Sequence, residues 1–436
     1  MPEIIVTQPS AQGRALKYRS RRSWQGCTVR DRFVVGIEIC SGSALSLVYH
    51  PSMDGFLFWL AVVTLLVVLA TILEFAVGNR SLLRLSSLPP VADNRAPMIS
   101  VIVAARNEER NIRDGLNSLL AQDYPNVEFM VVNDRSSDQT GVIVDQIARD
   151  DRRVKAIHLT ELPGGWLGKT HALHCGAQRA TGEWLLFTDA DVVMERSVIG
   201  RAAGYVRSTG IDHLAIAPLP QMPGTLLNMF GGAFALFFGL YAKPWKARDP
   251  KSPRHVGIGA FNLVRVGAYR AAGGHQAIAM RPDDDMKLGK LIKKHGFRQE
   301  IVLGDGLITV EWYSSVRELV RGLEKNTFAG MEYNLPMVAL ACAAQLAMFF
   351  WPFLALVVTR GATFWINIAI VGLLLLLYVD NAHFHRLKRW HCIGLPATAL
   401  LFQYIIWRAT LKTLVDDGID WRGTHYSLRE LKANKL

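Results

Sequence analysis

The sequence predicts an α/β domain built on a mostly parallel sheet, with membrane-spanning helices before and after it. Three observations predict this architecture. Between Ile99 and Phe187, short apolar runs alternate with segments of helical spacing. Phe56 to Val77 is apolar with Glu74 as its one charge, and that length crosses a bilayer core of about 30 Å. Beyond residue 336, three further apolar runs follow. The composition agrees, since half of the 436 residues are hydrophobic and 20% are charged. That balance is too apolar for an ordinary soluble enzyme and too charged for a pure transporter. The net charge is +12. With no zinc-finger spacing or RNA-binding signature, nucleic acid is excluded as a partner, and the phospholipid bilayer with its anionic surface is expected instead. Five widely spaced cysteines without a CxxC pair argue against a disulfide framework or a structural zinc.

Residues 1–52 carry the basic cluster Arg19, Arg21 and Arg22 with no apolar core close behind, so they are not a signal peptide. They are expected to be a disordered or non-native extension, dispensable, with Met53 as an alternative start. Residues 56–78 form the first transmembrane helix. Arg80 and Arg84 follow it and direct the chain into the cytoplasm. Residues 80–97 are a proline-containing linker. The central domain, 98–335, opens with a strand at Ile99–Ala104. Helical spacing then covers Glu108–Leu120, Gly141–Arg149 and Thr170–Ala180. Strands are predicted at Val127–Val132, Val154–His158 and Trp184–Phe187, the last ending at Thr188-Asp189-Ala190-Asp191. Right-handed crossovers put ligands at the carboxyl ends of such strands, which aligns Asn107, Asp134, Asp189 and Asp191 along one edge. Residues 226–241 are expected to lie in the membrane interface with Phe230, Phe234, Phe237 and Phe238 directed at lipid. Residues 336–413 hold two or three transmembrane or interfacial helices. The basic turn from His383 to His391 among them is cytoplasmic, and 414–436 is a tail.

Asp189 and Asp191, at i and i+2 on an extended chain, project to one side. Two such carboxylates suit a hard cation, Mg²⁺ or Mn²⁺, although an Asp-x-Asp triplet by itself is often a solvated loop. The acids of Ala104–Glu109 and of Asp134–Asp138 also read as helix starts, Asp138 as a cap. A third acidic site, Asp283-Asp284-Asp285, heads a helix expected over Asp285–His295. Crowded carboxylates repel and raise one another's pKa, as a general base requires.

Ser100-Val-Ile-Val-Ala-Ala-Arg-Asn-Glu-Glu109, Val131-Val-Asn-Asp-Arg-Ser-Ser-Asp138 and Phe187-Thr-Asp-Ala-Asp191 together resemble the family 2 glycosyltransferases of GT-A fold, over about residues 98–330. The resemblance implies that Ala104, Arg106, Glu108 and Asp134 hold the nucleotide of a nucleotide-sugar donor, a UDP-sugar by preference. It implies Asp189 and Asp191 as the metal pair. It places Asp284 in the position of a family glutamate and Asp285 as the catalytic base, so that transfer inverts the sugar. Gly165–Leu173 resembles the Gly-Lys-x-x-Ala segment of members that glycosylate lipids, with Lys169 toward the donor phosphates. Trp421–Tyr426 resembles the tail of carotenoid- and hopanoid-associated members, and ceramide glucosyltransferases are more distant relatives. Gly257–Asn262 is similar to the segment lining the donor-sugar and acceptor pocket. The chain departs from polysaccharide synthases in lacking Gln-x-x-Arg-Trp. Arg321-Gly-Leu-Glu-Lys325 stands there, with Lys325 and Arg321 to stabilise the leaving diphosphate. The implied function is transfer of one sugar to a membrane lipid acceptor at the cytoplasmic face of the cell membrane. A polyprenyl-phosphate acceptor is one alternative and a non-enzymatic scaffold or transporter another. A nucleotidyltransferase is disfavoured because Ala104–Glu109 lacks glycine.

Overall fold

The computed structural model describes residues 51–91 and 96–436. The expected extension therefore falls, for residues 1–50, outside the described residues. The strands are β1 (Leu83–Arg84), β2 (Ile99–Ala105), β3 (Val127–Asp134), β4 (Val154–Leu159), β5 (Trp184–Asp189), β6 (Val192–Met194), β7 (His213–Ala217), β8 (Leu219–Gln221), β9 (Asn262–Arg265), β10 (Gln299–Leu303), β11 (Ile308–Glu311), β12 (Gly418–Trp421) and β13 (Thr424–Ser427). Eight of them form the central sheet in the order β1-β10-β7-β9-β5-β2-β3-β4. Every pairing is parallel except those of β9 with β5 and β7. The predicted fold class, α/β with a mostly parallel sheet, is borne out.

The strands are apolar on both faces because helices cover both. Every residue of β3 is buried, including Glu128, whose carboxylate accepts from Ser100 Oγ (2.6 Å), Lys155 Nζ (2.7 Å) and Thr181 N–H (2.7 Å). A buried charge persists only with partners of this kind. Register places Ala104 opposite Val132 on one side and Asp189 on the other, so the strand ends converge. The first helix of the domain starts at Ile112, not at Glu108. The N–H groups of Glu108 and Glu109 are instead used by Thr140 Oγ1 (2.8 Å) and Asp138 Oδ2 (3.1 Å) of the neighbouring loop. On that helix, a Cβ at Gly115 would lie 2.4 Å from the Ala190 carbonyl oxygen. Glycine therefore lets the helix press against the Asp189–Asp191 loop.

Four helices among the described residues are long and apolar enough to cross a membrane: Met53–Arg80, Thr225–Lys246, Gly361–Phe384 and Arg389–Val415. Leu335–Phe349 and Trp351–Val358 form a further pair bent by 50°. Pro352, at the start of the second helix of this pair, lacks the N–H that a continuous helix would need. Trp59, Leu66, Leu73 and Val77 of the first helix are exposed. The Thr225–Ala242 helix behaves differently. Phe230 and Phe237 are 1% and 7% exposed, and Phe237 packs on Phe402 (5.2 Å between centroids) and Phe349 (5.1 Å). This corrects the expectation that all four of its phenylalanines face lipid. The helix is apolar around its circumference, so one face packs on the C-terminal helices and leaves Phe234 and Phe238 half-buried. The expected tail folds as the β12–β13 hairpin followed by a helix at Leu428–Ala433.

Candidate active site

The site is assembled at the carboxyl ends of β2, β3 and β5. The loops after β2 and β3 are knitted together. Asn107 N–H donates to Ser136 Oγ (3.1 Å), Ser137 N–H donates to Asn107 Oδ1 (2.9 Å), and Gln139 N–H donates to Glu109 Oε2 (3.0 Å). Asn107 and Arg135 sit at φ 55° and 54°, the left-handed region that L-residues visit at a cost. Asp138 Oδ1 accepts from Thr140 N–H at 3.0 Å, one residue ahead of the Gln139 N-cap of the next helix. The buried Asp134 carboxylate is gripped by Arg135 (2.7 and 3.0 Å) and faces Arg106 Nη1 at 3.6 Å. Glu108 pairs with Arg422 of the C-terminal hairpin.

Asp189 ends β5. Its Oδ1 meets Lys169 Nζ at 2.7 Å, and the same ammonium lies 3.6 Å from Asp284 Oδ1. Lys169 projects from the first turn of the Gly168–Arg179 helix. Burial opposes its charge, but Asp189, Asp284 and Asp285 outweigh burial and hold its pKa above the ordinary lysine value. Burial likewise opposes the Asp189 carboxylate, and Lys169, with Lys325 and Arg422, holds its pKa low. Asp191 is pushed up to about 7 by burial, then by Asp189 and Glu108.

The three acids of the third site take separate roles. Asp283 is consumed structurally, bonded by the 1% exposed Arg281 (3.0 and 3.2 Å) and by Lys287 Nζ (3.3 Å). Asp284 faces Lys169 and is pushed up to about 7 by burial, with Asp285 and Asp189 adding to it against Lys169. Asp285 is fixed at both oxygens. Oδ2 accepts from Gly259 N–H (2.9 Å) and Oδ1 from Met286 N–H (2.7 Å). Burial raises its pKa despite Lys169. A Cβ on Gly259 would lie 2.7 Å from Asp189 Oδ2 and 3.6 Å from Asp285 Oδ2, so the two carboxylates flank one glycine. Lys325 lies under the Trp421 ring, 4.3 Å from its centroid. Burial, then Lys169 and Arg422, lower its pKa to about 8. Arg321 is exposed and lines, with Lys325, Tyr313 and Trp421, a cavity of about 270 Å³.

Ala104, Glu108, Asp189, Asp191, Lys169, Asp284, Asp285 and Lys325 thus come together, Asp134 and Arg106 lie beside them, and Arg321 stands at the periphery. Two features went unread in the sequence. One is the ion-pair network through which Glu332 binds Arg281 (2.9 Å), Lys287 and Lys290 (3.4 Å), for which no local pattern exists. The other is the reach of the tail into the site, which its Trp421–Tyr426 motif signalled without a location. Among the described residues no three His, Cys, Asp or Glu converge into a ready-made metal cage. Asp189 and Asp191, crowded with Glu108, fit a hard cation that completes its shell with phosphate oxygens and water.

Residues 100–270 match the family model described as Glycosyl transferase family 2; the match ends before Asp284. The 4,4'-diaponeurosporenoate glycosyltransferase of Staphylococcus aureus strain MRSA252 is 22% identical over 349 residues, 76% of this chain and 88% of that protein. The protein of the same name from strain USA300 is 24% identical over 249 residues, 56% of this chain and 64% of that protein. A mannosyltransferase from Pyrobaculum calidifontis, solved in complex with GDP-Man and Mn²⁺, aligns at TM-score 0.49 and 18% identity, covering 83% of this chain and 99% of its own. The strand ends at which Asp134, Asp189 and Asp191 gather lie within the stretch that matches the family 2 glycosyltransferase model, and the chain is a glycosyltransferase.

Proposed function

We propose that the chain is an inverting glycosyltransferase that moves one sugar from a nucleoside-diphosphate sugar, a UDP-sugar in the first instance, to a membrane lipid. The observation that carries this reading is the placement of Asp285. Its carboxylate is held by two backbone N–H groups and faces Asp189 across Gly259. Asp285 takes the proton of the acceptor hydroxyl as that oxygen attacks the anomeric carbon. The bond from the anomeric carbon to the phosphate oxygen breaks, and the diphosphate leaves with the electron pair. One displacement inverts configuration. Lys325, with Arg321 farther out, offsets the charge on the leaving group, and Lys169 orients Asp189 and Asp284. Asp189 and Asp191 would hold a Mg²⁺ or Mn²⁺ ion, which when bound would supply Lewis acidity toward the diphosphate. Ala104, Arg106, Glu108 and Asp134 frame the nucleotide.

Two features support a lipid acceptor of isoprenoid, hopanoid or sphingolipid type. Relatives are named for 4,4'-diaponeurosporenoate, a carotenoid. Apolar helices of membrane-crossing length pack directly on the catalytic fold. Arg80, Arg84 and the basic His383–His391 turn favour a multi-pass enzyme whose site faces the cytoplasm. Asp285→Asn tests the assignment. It should leave donor binding intact while transfer to lipid falls by about 10²-fold or more. Unchanged transfer would refute the role of Asp285.

A further inference from the structure

One wall of the proposed donor site comes from the far end of the chain. Strands β12 and β13 are joined by a two-residue turn, Arg422-Gly423, with φ of 48° and 80°. Glycine adopts such angles freely, and asparagine is the usual companion in a tight hairpin of this kind. Arginine is a poor choice for the turn itself, and strained residues of this sort persist where the side chain has a task.

The hairpin is anchored at three points. Tyr426, 5% exposed, accepts from the N–H of Gly168 at 3.2 Å, the first residue of the helix that carries Lys169. Ile419 and Tyr426 are buried in a cluster with Leu167 and Met280. Trp421 covers the Lys325 ammonium at 4.3 Å. From this mount Arg422 reaches across to the carboxylate of Glu108, 314 residues earlier in the chain. Its side chain is 42% exposed. An ion pair at such a surface adds little to stability, so the pair with Glu108 does not account for the strained turn. Glu108 follows β2, whose Ala104 is the register partner of Asp189, and Trp421, next to Arg422, covers Lys325, so the hairpin brings the Arg422 charge to the strand edge that carries the carboxylate pair. Lys169 is already bound to Asp189 at 2.7 Å. A diphosphate arriving at Asp189 and Asp191 would therefore meet Arg422 and Lys325 as cations outside that pair. A guanidinium presents two parallel N–H donors to phosphate oxygens, which an ammonium cannot.

We propose that Arg422 is a donor-binding residue that exchanges Glu108 for the diphosphate of the nucleotide sugar, making the C-terminal hairpin an integral wall of the donor site. This rests on reading the site as one for a nucleoside-diphosphate sugar. The test uses the full chain in detergent with Mn²⁺ and measures calorimetric binding of UDP, GDP and the matching monophosphates. Arg422→Asn removes the charge and suits the turn. It should keep or raise the thermal midpoint, weaken the diphosphate that the parent binds by roughly 10–100-fold, and weaken the monophosphate much less. Arg422→Lys should recover part of the loss. Parental diphosphate affinity in Arg422→Asn would overturn the inference and leave the function standing. Equal losses for mono- and diphosphate with a lower thermal midpoint would also overturn it, reducing the hairpin to a structural element. A parent chain that binds neither UDP nor GDP would overturn the donor-site reading itself.

Discussion

Gly259 sits where Asp189 and Asp285 approach each other, which makes Gly259→Ala a local probe of the site. The backbone there is open to any L-residue, because its φ lies outside the left-handed region. The only demand is space. The added carbon would lie 2.7 Å from Asp189 Oδ2, about 0.7 Å inside ordinary van der Waals contact. The obstructing atom is the end of a side chain, so the fold survives by rotating that carboxylate. Rotation, however, strains its 2.7 Å bond to Lys169 and moves one of the two carboxylates offered to the metal. A displacement approaching 1 Å in a catalytic constellation lowers rate by up to about 10²-fold. Gly259→Ala should therefore insert normally, keep its thermal midpoint within a few degrees, and lose roughly 10–100-fold in turnover. Scintillation counting of sugar transferred to extracted lipid, beside a thermal melt, measures both. Parental turnover would refute the placement of Asp189, and a collapse in stability would refute the claim that the side chain alone yields.

Asp284→Asn removes a carboxyl whose folded-state pKa, about 7, stands above its ordinary 3.8. A raised carboxyl pKa weakens folding progressively as pH climbs from 3.8 to 7 and fully above 7. The variant should thus gain thermal midpoint over its parent at pH 8 and less at pH 5; a gain that grows toward pH 5 would contradict the sign. Glu332→Gln leaves the buried Arg281 with Asp283 and a carbonyl as its partners, and should cost about 1–3 kcal/mol of stability, read by denaturant or thermal unfolding. A neutral effect would show that the network adds nothing. Asp191→Ala and excess chelator should each abolish turnover while the protein still inserts in membranes, and full activity in chelator would rule out the metal.

The sequence announces what local chemistry encodes. Asp189 and Asp191 follow an apolar strand, and Asp285 heads a helix, so strand ends and helix starts sufficed to bring them into one picture. The first long apolar helix was equally plain, because its run holds a single charge. What stayed hidden depends on partners distant in the chain. Arg281 and Glu332 meet across 51 positions, and Arg422 and Glu108 across 314. No periodicity carries that information. Phe230 and Phe237 misled for a different reason. A helix apolar on every side packs on protein or lipid equally well, and the choice was made by Phe349 and Phe402 on helices more than a hundred residues later. Similarly, the first of the apolar runs beyond residue 336 is broken into two helices bent by 50°, with Pro352 at the start of the second.

The central claim is inverting transfer of a single sugar to a membrane lipid, and the anomeric configuration of the product tests it most directly. Membranes bearing the chain would be incubated with isotopically labelled α-linked nucleotide sugars and Mn²⁺, and the labelled lipid isolated and read by mass spectrometry and NMR. One β-linked sugar per lipid, lost in Asp285→Asn, is the result this mechanism predicts. An α-linked product, a polymer, or label recovered only as free sugar or on a soluble acceptor would contradict it.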